Sequence, residues 1–149
     1  MAVHIHSDAS VINKVARGAY VILNKRNKKE RIIRRTPSVD EMESCDAEMI
    51  TAMQALIHAF KKFPKETEFC VYSDSLYVIS HFKMNGLDLM NPNKCNIYFR
   101  RMLNYLEKNP RVDQVNLSAS HIKAHSSKLI DEPQKMNYLC DMLASMKNI

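Results

Sequence analysis

The stretch that decides the fold is Val3-His4-Ile5-His6-Ser7-Asp8-Ala9-Ser10, VHIHSDAS. Two histidines, one residue apart, stand just before an aspartate. The stretch is either a metal-binding His-x-His or a β-strand that delivers Asp8 and also carries histidines. On a strand, side chains alternate between faces, so His4, His6 and Asp8 share one face. The two readings lead to different enzyme classes, and the rest of the chain decides between them.

The chain has 149 residues, the size of one domain spanning 1–149 and long enough to bury about 70% of its unfolded surface. No apolar run approaches the roughly 20 residues of a membrane span. The first residues read directly as a strand, without the basic and apolar segments of a signal peptide, so a cytoplasmic protein is expected. Cys45, Cys70, Cys95 and Cys140 form no CxxC pair. A zinc knuckle is therefore disfavoured and reduced thiols are expected. The net charge is +6, with basic stretches at Lys25-Arg26-Asn27-Lys28-Lys29, Arg31 with Arg34-Arg35, Lys61-Lys62 and Arg100-Arg101. Such a balance fits an anionic partner, nucleic acid first, although any single cluster reads equally well as solvated surface.

Hydrophobic patterning predicts strands over 2–8, 19–24 and 31–35, an antiparallel meander. A helix follows from Ser44, its candidate N-cap, to before Pro64, with Met49, Met53, Leu56 and Phe60 on one apolar face and Ala52, Ala55 and Ala59 beside it. Residues 68–73, EFCVYS, are nearly all apolar and predict a strand buried on both faces. Then come a short helix over 75–82, a loop over 84–95, a helix over 96–108 and a strand over 113–123. A loop containing Pro133 leads to a final helix over about 135–146. The last two strands follow helical crossovers and should lie parallel to their neighbours. The expectation is a mixed five-stranded sheet, three antiparallel strands then two parallel, flanked by helices.

In such a sheet Asp8 and Asp74 fall at one edge, outside the carboxyl ends of strands, where ligands bind. Glu48 is one turn into the helix packed on that sheet, and Asp141 lies on the last helix. Clustered carboxylates repel unless a cation compensates, and hard oxygen donors suit Mg²⁺ or Mn²⁺. Taken singly, Asp8 and Asp74 also read as turn caps, Glu48 as an acid facing the helix dipole and Asp141 as an exposed helix residue.

Five motifs in order carry a resemblance: Asp8-Ala9-Ser10; Ala47-Glu48 through Ala55-Leu56; Tyr72-Ser73-Asp74-Ser75-Leu76-Tyr77-Val78; Ile122-Lys123-Ala124-His125; and Asn137-Tyr138-Leu139-Cys140-Asp141. Together they resemble the ribonuclease H family over almost the whole chain. The resemblance implies an α/β, ribonuclease H-like fold and an endonuclease that cuts the RNA strand of RNA–DNA hybrids, leaving 5′-phosphate ends. It implies two Mg²⁺ ions, with Mn²⁺ as an alternative, held by Asp8, Glu48, Asp74 and Asp141. His125 would be a loop histidine aiding proton transfer or product release. Ser10, Asn13, Ser44 and Asn137 would contact nucleic acid, although Ser10 and Asn13 also read as strand-end residues. A monomer without organic cofactor or membrane partner is expected.

The sequence departs from the family at several points. Ala9 replaces a glycine, Leu76 a polar residue, and His121 a tryptophan. The loop after His125 is long, and the segment 84–95 is too short for the extra basic helix of some bacterial members. The grip on substrate is therefore expected to be weak or to come from a partner. The opening also resembles the PHP phosphoesterases, whose first strand bears His-x-His. A barrel of that kind takes roughly 250 residues, and His58, His81, His121 and His125 are not set as its later ligands would be. The strand reading is preferred, with His4 and His6 packed or hydrogen-bonded. A nuclease of this fold acting on DNA, and a non-catalytic nucleic-acid-binding module, remain the alternatives.

Overall fold

The computed structural model describes residues 2–24, 31–42, 44–76, 78–79, 104–105, 108, 115–122 and 132–145. Its core is a five-stranded sheet in the order β3-β2-β1-β4-β5. The strands are β1 (Ala2–Ile12), β2 (Val15–Asn24), β3 (Arg31–Arg35), β4 (Glu68–Ser73) and β5 (Asn116–His121). β1–β2 and β2–β3 are antiparallel, while β1–β4 and β4–β5 are parallel. This is the expected mixed sheet.

The first hairpin is longer than the apolar pattern predicts. β1 runs on to Ile12 and β2 begins at Val15, joined by Asn13 and Lys14 alone, with φ of 52° and 63°. Two successive positive φ values make a type I′ turn, whose twist matches that of the flanking strands. The sequence signal is weak because Lys14 stands where glycine is usual. Residues 36–42 fold back on the start of β2: Ala16 and Val39 exchange backbone hydrogen bonds, and Met42 N–H donates to the Lys14 carbonyl at 3.0 Å.

Helix α1 (Ser44–Lys62) lies on one face. Its apolar stripe is the expected one: Met49, Met53, Leu56 and Phe60 are buried, as are Ala52, Ala55 and Ala59. They pack on Val3, Ile5, Tyr20, Ile22, Phe69 and Val71 to form the main core. The alanines let the helix sit close to the sheet. Closest of all is the crossing at Gly18, where a Cβ would overlap Thr51 Oγ1 and come within 2.7 Å of Thr51 Cγ2. Helix α2 (Glu132–Ser145) covers the other face, with Cys140 and Ala144 packed on Ala19 and Val21. Pro133 belongs to its first turn, not to a preceding loop, because the first helical N–H groups have no intrahelical acceptor to lose.

β4 differs from expectation on one face. Phe69 and Val71 are fully buried against α1, but Cys70 and Tyr72 on the opposite face are only half-buried. The reason is that α2 packs mainly over β1 and β2. β5 is shorter than predicted, with Val115 and Ile122 outside it. Of the expected short helix, Leu76, Val78 and Ile79 are helical, and so are Asn104 and Tyr105 of the next one. The remainder of both helices, the loop over 84–95 and His125 lie outside the described residues.

Candidate active site

The register shows how the sheet opens a site. Asp8 pairs with Ala19 and His6 with Val21, so both side chains belong to the α2 face. On the other side of β1, the pairing with β4 ends at His6–Tyr72. Asp8 thus sits two residues past the last β4 partner, beside the point where β4 turns away. Asp74 occupies that turn. Ser73 Oγ accepts the Ser75 N–H at 3.1 Å, and Ser75 Oγ accepts the Val78 N–H at 3.3 Å, an N-cap that starts the short helix. The Asp74 carbonyl accepts a hydrogen bond from His121 Nε2 at 3.1 Å. Glu48 arrives from α1, on the opposite layer. The gap left by β4 lets carboxylates from both layers meet.

One carboxylate oxygen from each of Asp8, Glu48 and Asp74 lies within 4.8 Å of the others. Asp8 is 3% exposed, and its Oδ1 accepts the Ala9 N–H at 3.0 Å. Asp8 and Glu48 bring carboxylate oxygens together at close range, where one proton shared between them offsets part of their repulsion. Glu48 Oε2 is buried with no partner among the described residues. Burial, then the charge of Asp74, then that of Asp141, pushes Asp8 up to about 7, while burial followed by the charges of Asp8 and Asp74 raises Glu48 well above the carboxylate range. Asp141 itself lies outside the three-residue cluster but close enough for its charge to act on Asp8.

The donor set fits a divalent cation. All its atoms are carboxylate oxygens, which suit Mg²⁺ or Mn²⁺. The unpartnered Glu48 oxygen and the mutual repulsion of the acids are what a bound cation would relieve. One consequence is testable without substrate. A raised native pKa means that the folded state binds the proton more tightly than the unfolded chain. In chelator, the contribution of Asp8 to stability is full below its ordinary pKa of 3.8 and is lost as pH rises through about 7. Melting temperature in chelator should therefore fall from pH 5 to pH 8, and Mg²⁺ should recover it at the upper end. A melting curve in chelator that rises over this interval would contradict the assignment.

The remaining candidates lie around this centre. Asn137, one turn before Asp141 on α2, is 8% exposed, with Oδ1 buried and unpartnered among the described residues. Ser10 is half-buried on β1, two residues past Asp8 and on the same face. Asn13 is exposed in the type I′ turn, and Ser44 is exposed at the start of α1. His4 and His6 are occupied by packing: both stack on Tyr72, at centroid distances of 5.5 and 4.6 Å, and His4 Nδ1 is 2.7 Å from the Tyr72 hydroxyl. Among the described residues, neither joins a group of three potential metal ligands. The opening stretch is thus a strand that carries Asp8. Neither Tyr72 as a packing partner of the histidines nor Gly18 as the helix–sheet contact is signalled by the sequence pattern. Only the scarcity of glycine, two in the chain, hinted at the latter.

The fold is a mixed sheet with carboxylates gathered where its central parallel strands end. The RNase H family model matches residues 1–148, and the chain belongs to the ribonuclease H family. Among solved structures, the chain is similar to the protease–reverse transcriptase of prototype foamy virus, with a TM-score of 0.64 and 18% identity over 98% of this chain. It spans only 21% of that protein's length. It is similar to RNase H1 of the halophilic archaeon Halobacterium salinarum, with a TM-score of 0.59 and 15% identity, covering 96% of this chain and 94% of that one. It also resembles LC11-RNase H1, solved in complex with an RNA/DNA hybrid, with a TM-score of 0.57 and 15% identity over 95% and 92% of the two chains. No curated protein matches the sequence.

Proposed function

We propose that this chain is a metal-dependent endoribonuclease that hydrolyses the RNA strand of RNA–DNA hybrids and leaves 5′-phosphate ends. The observation that carries the reading is the Asp8–Glu48–Asp74 cluster in a chain of the ribonuclease H family. Asp8, Glu48, Asp74 and Asp141 would hold two Mg²⁺ ions, or Mn²⁺ in their place. When bound, such a pair of ions neutralises charge on the attacking and leaving oxygens of a phosphoryl transfer. Asp8 would be the ligand the two ions share, a role supported by its place beside Glu48 and Asp74 and within electrostatic reach of Asp141. Burial of Asp8 excludes water from one side of the centre and fixes its carboxylate against the Ala9 N–H. Water attacks phosphorus, the P–O3′ bond breaks, and the departing 3′ oxygen takes up a proton. His125 would assist this proton movement or product release.

Ser10, Asn13, Ser44 and Asn137 are the proposed contacts to the sugar–phosphate backbone. Asn137 would act from within, through its buried Oδ1 one turn before Asp141. The partner is the hybrid, bound by a monomer in the cytoplasm with no organic cofactor. No helix among the described residues is long and apolar enough to cross a membrane. Two measurements test the reading together. Mg²⁺ at about a hundredfold above its dissociation constant should stabilise the fold by roughly 2.7 kcal/mol, and the cleavage products should carry 5′-phosphate and 3′-hydroxyl ends. An absent metal-linked shift, or products ending in a 3′-phosphate, would oppose it.

A further inference from the structure

A cationic corner stands at the far end of α1 from the carboxylates. Tyr20 on β2 pairs with Arg34 on the edge strand β3, which puts both on the α1 face. The Tyr20 hydroxyl lies 2.7 Å from His58 Nδ1 on α1. Lys61 and Lys62 follow His58 by three and four residues, so all three occupy one patch of the helix surface. Arg34, Lys61 and Lys62 are all exposed. Their convergence shows at His58, which burial and then the charges of Arg34, Lys62 and Lys61 hold below the ordinary imidazole range. The corner therefore does not gain a fourth charge from histidine at neutral pH. Among the described residues, no carboxylate forms an ion pair with Arg34, Lys61 or Lys62.

Two of the three side chains are held in place. Arg34 Nη1 donates to the Ile33 carbonyl at 2.9 Å, and Lys61 Nζ sits 5.0 Å from the centroid of the Tyr105 ring. A cation set over an aromatic face keeps its charge and loses side-chain freedom in advance. The two lysines also close the last turn of α1, where cations complement the helix dipole. That role needs no arginine on the neighbouring edge strand, and Arg34 is what turns a helix terminus into a convergent site.

We infer that Arg34, Lys61 and Lys62 form a second contact for the phosphate backbone of a duplex whose scissile strand lies at Asp8, Glu48 and Asp74. The inference rests on the proposed nucleic-acid substrate and adds a place where this chain grips it. At a helical rise of about 1.5 Å per residue, Lys61 stands roughly 20 Å along α1 from Glu48. That is about six steps of a duplex at some 3.4 Å each, within reach of a substrate one turn long or little more. This corner supplies charge from elements of the sheet and helix that already build the fold.

The test compares the triple variant Arg34→Gln/Lys61→Gln/Lys62→Gln with Lys135→Gln, which removes an exposed charge from α2 on the other face. Binding of an 18-base-pair hybrid, a length of about three times the span, is measured across a salt series in an Asp8→Asn background so that nothing is cut. The triple variant should bind about tenfold more weakly, with the slope of log affinity against log salt lower by about 2–3, near 0.9 per lost phosphate contact. In the otherwise unaltered enzyme, KM should rise while kcat at saturating hybrid stays the same. If the parent binds hybrid and the triple variant loses no more per charge than Lys135→Gln, the inference is wrong and the proposed function stands. If the parent binds no hybrid, the proposed function itself fails. If the triple variant instead loses binding to phosphatidylserine vesicles while its hybrid binding is unchanged, the corner serves a membrane surface and the inference is overturned.

Discussion

Asp8→Asn should reduce metal-dependent cleavage of a hybrid by about 10³-fold or more, the scale seen when a group acting chiefly in the transition state is removed. The same variant should raise the melting temperature of the protein in chelator. The two effects have one cause. Asp8 is buried beside Glu48 and Asp74 and within electrostatic reach of Asp141. Asparagine keeps the shape and still accepts the Ala9 N–H, but it removes one charge from a set that repels. What stabilises the empty fold disables the loaded one, because the variant holds cations less well. Single-turnover cleavage and melting in chelator check the pair. A variant that is inactive but also melts earlier would mean that Asp8 supports the fold and not the chemistry.

Gly18→Ala is expected to be the most damaging small change outside the site, at about 3 kcal/mol, the upper end for overpacking a well-filled interior. The added methyl would overlap Thr51 Oγ1 and meet Thr36 Oγ1 at 2.9 Å. Neither neighbour can swing away freely. Thr51 is 3% exposed and its hydroxyl donates to the Ala47 carbonyl at 2.8 Å, while Thr36 Oγ1 accepts the Gly18 N–H at 2.9 Å. To relieve the overlap, α1 must lift from β2, and Glu48 sits one turn before Thr51 on the same helix. For a chain of this size the loss corresponds to roughly 6–12 °C in melting temperature, with weakened Mg²⁺ binding as a secondary effect. Thr51→Ala should recover much of the loss when combined with Gly18→Ala, giving a coupling that thermal melts of the four proteins in the cycle would read. Additive losses would place the cause elsewhere.

Much of this architecture is legible in the sequence where one face of an element is buried and the other is not. The α1 stripe from Met49 to Phe60 and the alternation of β1 are of that kind. β4 misleads because Cys70 and Tyr72 look like core residues, and only the placement of α2 over β1 and β2 leaves them half-exposed. The β1–β2 hairpin is hidden because its turn uses Asn13-Lys14 and because β2 starts with the mixed run Val15-Ala16-Arg17-Gly18. At the site, the order of the motifs brings out Asp8, Glu48, Asp74 and Asp141. It does not convey that Glu48 and Asp8 belong to opposite layers and meet only because β4 stops. That depends on register, which composition and periodicity do not encode. The convergence of Arg34 with Lys61 and Lys62 is hidden for the same reason, since it needs the pairing of Tyr20 with Arg34 across two strands.

The most direct test of the central claim is cleavage of an end-labelled RNA–DNA hybrid by the unaltered protein, beside single-stranded RNA, double-stranded RNA and double-stranded DNA of the same sequence. Each substrate is offered in Mg²⁺, in Mn²⁺ and in chelator. Cutting confined to the RNA strand of the hybrid, present with either metal and absent in chelator, is the predicted result. A folded protein that leaves the hybrid intact with both metals, or that cuts double-stranded DNA in preference to it, would contradict the account.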